Sequence, residues 1–204
     1  MNNILINAGR KFRDSAKELS NPATLTVCAM MLAISLVLSY FGNISITFLG
    51  TNVIKLSFVI VPIAVAAMLY GPVGAGIIGG LSDIIGFMLA PMGAYIPGFT
   101  ISMILIGFAF GLVLYEEKPT VPRIAAVQLF VSAVVSTLLG SLWFVLFYGF
   151  KPLQALSVRG IKELVMYPIN VLLIFVIARV IAQLPEIRQR KRSKEAPEQV
   201  EPEA

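Results

Sequence analysis

From Leu25 to Gly42 the chain reads LTVCAMMLAISLVLSYFG, eighteen residues without one charged side chain. A helix of about twenty such residues crosses the roughly 30 Å hydrocarbon layer of a bilayer, and few other structures can bury that much apolar chain. Five further stretches have the same character. They are centred on about 54–70, 73–90, 98–115, 123–148 and 162–184, and the first run covers about 24–42. The surplus of apolar residues is gathered in these runs: 57% of the chain is hydrophobic and 13% charged, whereas soluble domains carry about a quarter charged residues. The expected fold is therefore an all-α integral membrane protein of six transmembrane helices. Residues 1–22 form a basic cytoplasmic lead-in, 23–184 one membrane domain, and 185–204 a charged, disordered cytoplasmic tail.

Charge placement orients the spans. With the N-terminus inside, Arg10, Lys11, Arg13, Lys17, Lys118, Arg123, Arg188, Arg190, Lys191, Arg192 and Lys194 fall on the cytoplasmic side. Only Lys55, Lys151, Arg159 and Lys162 fall outside. Basic residues accumulate in cytoplasmic segments, so both termini are expected in the cytoplasm. The basic residues sit at membrane boundaries without interleaved aromatics, which argues against nucleic acid as a partner.

Several function classes drop out. The chain has no histidine and a single cysteine, Cys28, which removes imidazole chemistry, an internal disulfide and a cysteine-rich metal site. Cys28 is read as a small buried apolar residue. No G-x-x-x-x-G-K-[ST] phosphate loop occurs, so the chain does not hydrolyse ATP itself. No paired carboxylates mark an intramembrane enzyme, and no internal repeat marks an autonomous secondary transporter. No cofactor is expected.

What remains is concentrated at the outer ends of the spans. YGFKPLQALSVRGIKE, residues 148–163, places Lys151, Arg159 and Lys162 outside, against the general trend. They are either a solvated loop or a set of cations for an anionic ligand; Arg159 and Lys162 share a face if helical. APMGAYIPGFT, residues 90–100, is a shaped loop through Pro91, Gly93, Pro97 and Gly98. It offers Tyr95, Phe99 and Thr100, and Trp143 lies toward the outer end of span five. These aromatics serve either as interfacial anchors or as flat walls for a ligand. Asp83 is read as the only acid inside the apolar spans, facing either a structural partner or a ligand. Asn170 reads as an interhelical hydrogen bond or a ligand contact. Ala29 and Ala33, like Gly76 and Gly80, form small-xxx-small faces for close helix packing.

Together, Ala29-xxx-Ala33, LSFVIVPIAVAAMLYGPVGAGIIGGLSDIIG, GAYIPGFT, LLGSLWFVLFYG and VRGIKELVMYPIN resemble the substrate-binding (S) components of energy-coupling factor vitamin transporters, of the folate family, over residues 23–184. The resemblance implies a six-helix S-component bundle in a bacterial cell membrane, a vitamin pocket open to the outside, and partnership with a transmembrane T subunit and two cytoplasmic ATPase subunits. It gives Ala29 and Ala33 a second role, contact with the T subunit. Folate suits the residues chemically. Its glutamate carboxylates would meet Lys151, Arg159 and Lys162, with Lys55 in reserve. Asp83 could accept from the amino edge of the pterin, and Tyr95, Phe99 and Trp143 could enclose the rings. Loops 43–55, 91–97 and 149–161 are expected to act as a lid. Riboflavin, pantothenate or a queuosine precursor on the same fold are the alternatives.

Overall fold

The computed structural model describes residues 2–41, 44–48, 51–56, 58–91, 95–117, 119–149 and 151–183. The expected tail, 185–204, and Lys118 lie outside the described residues. Helices α1 (Asn2–Glu18) and α2 (Pro22–Phe41) are followed by a hairpin of β1 (Ile44–Phe48) and β2 (Thr51–Leu56). Then come α3 (Ile60–Leu89), α4 (Pro97–Leu114), α5 (Val121–Phe130), a π-helical stretch (Val131–Leu139), α6 (Gly140–Tyr148) and α7 (Pro152–Gln183). Five helical runs are long and apolar enough to cross a membrane: α2, α3, α4, the α5–π–α6 rod and α7.

Spans two and three are the two limbs of α3. Gly71 sits between them at φ 77°, ψ −168°, left-handed backbone that glycine adopts without a side-chain penalty. The chain doubles back here. Ile60 lines the same cavity as Met103 and Ile106 in the middle of α4, whereas a Cβ on Gly111, near the end of α4, would come 2.3 Å from Pro72 Cα. The first limb, 60–70, is therefore a half-span of about 16 Å at 1.5 Å per residue. The second limb, 72–89, runs antiparallel to α4 at backbone contact: a Cβ on Gly107 would meet Ala75 C at 2.5 Å. Gly76 and Gly80 serve this same packing, against Phe108 and Ile104. Val61 to Ala67 are all buried, which makes the first limb the centre of the bundle. Helix α2 lies alongside the second limb, with Cys28 near Gly74 and Ser39 near Gly86. Cys28 is buried, as expected of a small apolar residue.

Two differences from the sequence reading, and one feature it left open, have physical causes. Residues 44–48 and 51–56 pair as antiparallel strands with a register irregularity at Ile46/Thr47, so the described chain is not all-α and the helix of the second span starts at Ile60, not near 54. Alternating, β-branched ISITF and TNVIKL favour strand over helix. The basic lead-in, whose packing the sequence left open, is docked on the bundle. It is a helix whose Ser15 is fully buried in the α3 elbow. The Ser15 hydroxyl donates to Tyr70 O and accepts from Val73 N at 3.0 Å, pairing two groups that the bend removes from the helical ladder. Lys11 donates to Leu112 O at 3.1 Å, and Phe12 packs edge-on to Phe108 at 5.2 Å. Finally, α7 begins at Pro152, ten residues before the expected start of span six. Proline fits the first helical turn, where its missing N–H costs nothing. Residues 152–161 are therefore helix rather than lid loop, and Arg159 and Lys162 lie within α7.

Candidate functional site

The site is built where the α3 half-span stops. Val59 and Ile60 open the N-terminus of that limb onto a cavity closed by Met103 and Ile106 of α4, Ser136 of the π-helical stretch, and Lys162, Glu163, Met166 and Asn170 of α7. Its volume is about 70 Å³, well short of the roughly 300–1,000 Å³ of a small-molecule pocket. The site has to widen to admit anything of vitamin size. The half-helix begins beside this space, so its positive dipole end lies there, while Val61 N already donates to Phe58 O at 3.1 Å.

Polar groups are few here. Lys162 Nζ stands 3.7 Å from Glu163 Oε1, with side-chain exposures of 26% and 12%. Asn170 is buried, and its Oδ1 has no hydrogen-bond partner among the described residues. Sequence reasoning placed Asp83 as the only acid in the spans. That is corrected: Glu163 is a second, and it lines the cavity. The signal lay in LSVRGIKELV, once Pro152 is read as a helix start.

Arg159 occupies a seat of its own one turn nearer the N-terminus of α7. Its Nη1 donates to Ser136 O at 2.9 Å. The guanidinium lies 4.5 Å from the Phe144 ring centroid and 5.3 Å from that of Phe99, two rings that meet edge-on at 5.6 Å. Such stacking holds a guanidinium away from bulk water without neutralising it. Gly140 makes the seat possible, since a Cβ there would come 2.1 Å from Nη1. Thr137 Oγ1 donates to Ser132 O at 2.8 Å across the widened turns of the π-helical stretch, a form of helix common at functional sites.

A second polar group stands where α3 ends and α4 begins. Thr100 Oγ1 donates to Asp83 Oδ2 at 2.7 Å, and Tyr95 Oη lies 2.6 Å from Thr100 Oγ1. Tyr95 also packs on Phe87 at 5.2 Å. Pro97 is the first residue of α4, so it sets a helix start rather than loop shape alone. Trp143 lies against Gly98 and donates from Nε1 to Ser102 Oγ at 3.2 Å, while Ser102 donates to Gly98 O at 3.0 Å. It is thus tied into the bundle, whereas its neighbour Phe147 is exposed.

The structure brings Lys162 and Asn170 to the cavity, seats Arg159 against Phe99 and the lining residue Ser136, and ties Trp143 to Gly98 and Ser102. Asp83, Tyr95, Thr100 and Pro97 form a separate cluster. Lys151 is exposed ahead of α7, where its carbonyl accepts from Ala155 N. Lys55 pairs with Ser45 in the hairpin backbone; its side chain lies outside the described part. Ala29 and Ala33 lie on the exposed face of α2, not at a contact inside the bundle.

Comparison with known proteins points one way. Residues 23–186 match the family model "ECF transporter, substrate-specific component". A folate transporter of Clostridium novyi (strain NT) is 32% identical over 148 residues, which is 72% of this chain and 83% of that protein. A folate transporter of Leuconostoc mesenteroides is 30% identical over 149 residues, 70% of this chain and 77% of that one. Among solved structures, that of FolT bound with folic acid superposes with a TM-score of 0.70 at 27% identity, over 78% of this chain and 94% of the other.

Proposed function

Because the chain belongs to the substrate-specific component family of ECF transporters, we propose that it captures folate at the outer face of a bacterial cell membrane for an ATP-driven uptake complex. The observation that carries this reading is the likeness, along most of the chain, to two folate transporters and to a folic acid-bound relative. The protein is a membrane transporter subunit and not an enzyme. It has no phosphate-binding loop, so the driving ATPases are separate chains, joined through a transmembrane T subunit. The exposed small-residue face of α2, with Ala29 and Ala33, suits close approach of that subunit.

In this reading α2, the half-span and the full second limb of α3, α4, the α5–π–α6 rod and α7 are the six membrane segments, with both termini in the cytoplasm. The basic residues of α1, with Lys118 and Arg123, support that orientation. Folate binds ring-first between α3, α4, the π-helical stretch and α7. Its glutamate tail faces Arg159 and, at the mouth, Lys151 and Lys55, with Phe99 and Trp143 flanking the rings. Asp83 holds Thr100 and Tyr95 at the rim. Two charge-assisted contacts of about 1.5–3 kcal/mol each do not reach the roughly 12 kcal/mol of a nanomolar site. Burial of the ligand's rings supplies the rest, so the 44–56 hairpin closes over the ligand once it has entered.

The direct test is to purify the protein in detergent, denature it and identify released small molecules by mass spectrometry, then titrate folate against the fluorescence of Trp143. A folate in the extract and saturable quenching support the reading. A different vitamin in the extract, with no response to folate, replaces it.

A further inference from the structure

Away from the cavity, α4 and α5 enclose a groove of about 280 Å³ on the surface of the bundle. Its lining is Ala109, Leu112 and Val113 of α4 and Ala126, Val127 and Phe130 of α5, all apolar. Val113 and Phe130 are 37% and 52% exposed, so the groove opens to whatever surrounds the bundle. Both helical runs are long and apolar enough to cross a membrane. Water finds no polar partner in such a groove, and an empty one forfeits dispersion contacts along its walls. Inside the hydrocarbon layer its filler is apolar chain.

The head of the groove is charged. On α5 the lining positions 126, 127 and 130 follow Arg123 by three, four and seven residues, which makes one helical stripe. Arg123 therefore stands one turn beyond the groove. From the other side, Lys11 Nζ donates to the backbone oxygen of the lining residue Leu112 at 3.1 Å. Glu117 ties the two cations together: Arg123 Nη1 donates to its carboxylate, and Lys11 Nζ stands 3.9 Å away. By sequence, Lys11, Lys118 and Arg123 oppose Glu116 and Glu117, three positive charges against two negative. The Arg123 side chain stays 46% exposed, and a guanidinium has N–H donors beyond the one given to Glu117. Helix α5 begins at Val121, so its positive dipole end lies at the same place.

We infer that the α4–α5 groove is a binding site for one anionic phospholipid, with an acyl chain along the groove and the phosphate on Arg123, beside Lys11. Charge complementarity selects the lipid: a neutral chain fills the groove equally well but leaves the cationic head unanswered. The site shares no lining residue with the cavity between α3, α4 and α7 and does not depend on the folate reading. Because Lys11 belongs to α1, the lipid would bridge α1, α4 and α5 and brace the docked N-terminal helix.

The experiment uses full-length protein in neutral detergent, stripped of lipid by washing. It is titrated with dioleoylphosphatidylglycerol or dioleoylphosphatidylcholine, and bound lipids are counted by native mass spectrometry. A single phosphatidylglycerol is expected to bind about fivefold or more tighter than phosphatidylcholine, the factor one basic residue supplies near an anionic surface. Arg123→Gln should remove that preference. Ala126→Phe, at an exposed position in the groove, should weaken both lipids. Arg179→Gln removes an exposed cation of α7 that lines no part of the groove and should change nothing. Equal affinity for the two lipids in the unaltered protein, which needs no variant to fold, overturns the proposal. Equal loss from Arg179→Gln and Arg123→Gln also overturns it, since the attraction is then diffuse. Full retention of phosphatidylglycerol by Ala126→Phe removes the groove from the site. Displacement of the lipid by an equal concentration of glycerol phosphate would mean a free-phosphate site and overturn the lipid assignment.

Discussion

Replacing Gly140 with alanine adds one methyl group, and the structure says where it goes. The new Cβ would lie 2.1 Å from Arg159 Nη1 and 2.8 Å from Cζ. Nonbonded carbon atoms rest at about 3.5–4 Å, so the guanidinium has to withdraw by more than an ångström. Leaving its seat, it gives up the bond to Ser136 O and its position over Phe144 and Phe99. A hydrogen bond to a charged group contributes about 1.5–3 kcal/mol and cation–π contact about 0.5–2 kcal/mol. Alanine in place of glycine in a helix returns about 1 kcal/mol. The net loss is then about 1–4 kcal/mol. Because the affected group is the proposed tail anchor, folate affinity should fall by about tenfold or more at 1.4 kcal/mol per decade. Gly160→Ala is the matched control: the same methyl one residue from Arg159 on α7 meets nothing within 4 Å. Thermal melting in detergent and folate titration on Trp143 fluorescence measure both variants. A Gly140→Ala protein that melts and binds like the unaltered one would refute the seat described for Arg159. Equal damage from Gly160→Ala would show that any extra methyl near α7 is harmful and that the seat explains nothing.

Other perturbations separate packing from binding. Gly98→Ala drives a methyl to 2.3 Å from the Trp143 ring and should cost about 1–3 kcal/mol of overpacking, with a changed emission maximum from the only tryptophan; an unchanged spectrum and melting point would count against this contact. Ser15→Ala strips Tyr70 O and Val73 N of a shared partner and should lower stability by about 1–3 kcal/mol, with faster hydrogen exchange across residues 70–76 as the readout. Ala29→Leu and Ala33→Leu point into open space on α2; folate binding by the isolated protein should persist while co-purification with the T subunit is lost, and intact assembly would remove α2 from that interface.

Much of the architecture was readable without coordinates. Apolar run length located the spans to within a few residues at α2, α4 and the α5–α6 rod, because crossing length is a local property. Tyr70-Gly71-Pro72 declared a tight turn, which Gly71 makes with left-handed backbone. The errors cluster where charge lies inside a helix. Arg159 was placed in a loop and Lys162 at the very start of span six because cations are expensive in a span. Phe99, Phe144, Ser136 O and Glu163 lower that expense, and three of these four stand on other helices. Glu163 was overlooked for the same reason: once span six is begun at Lys162, the neighbouring acid reads as a boundary residue.

Membrane class, the basic bias of the N-terminal segment and the absence of any nucleotide-binding loop were determined by the sequence alone, since each depends on composition or spacing within one segment. The half-span of α3, the burial of Ser15 in its elbow, and the separation of Asp83 from Glu163 were decided only by tertiary structure. Both acids are followed by two apolar residues, Ile84-Ile85 and Leu164-Val165. What distinguishes them is the helix each one faces: Asp83 meets a threonine at the head of α4, while Glu163 meets the space left where a helix ends halfway across the bundle.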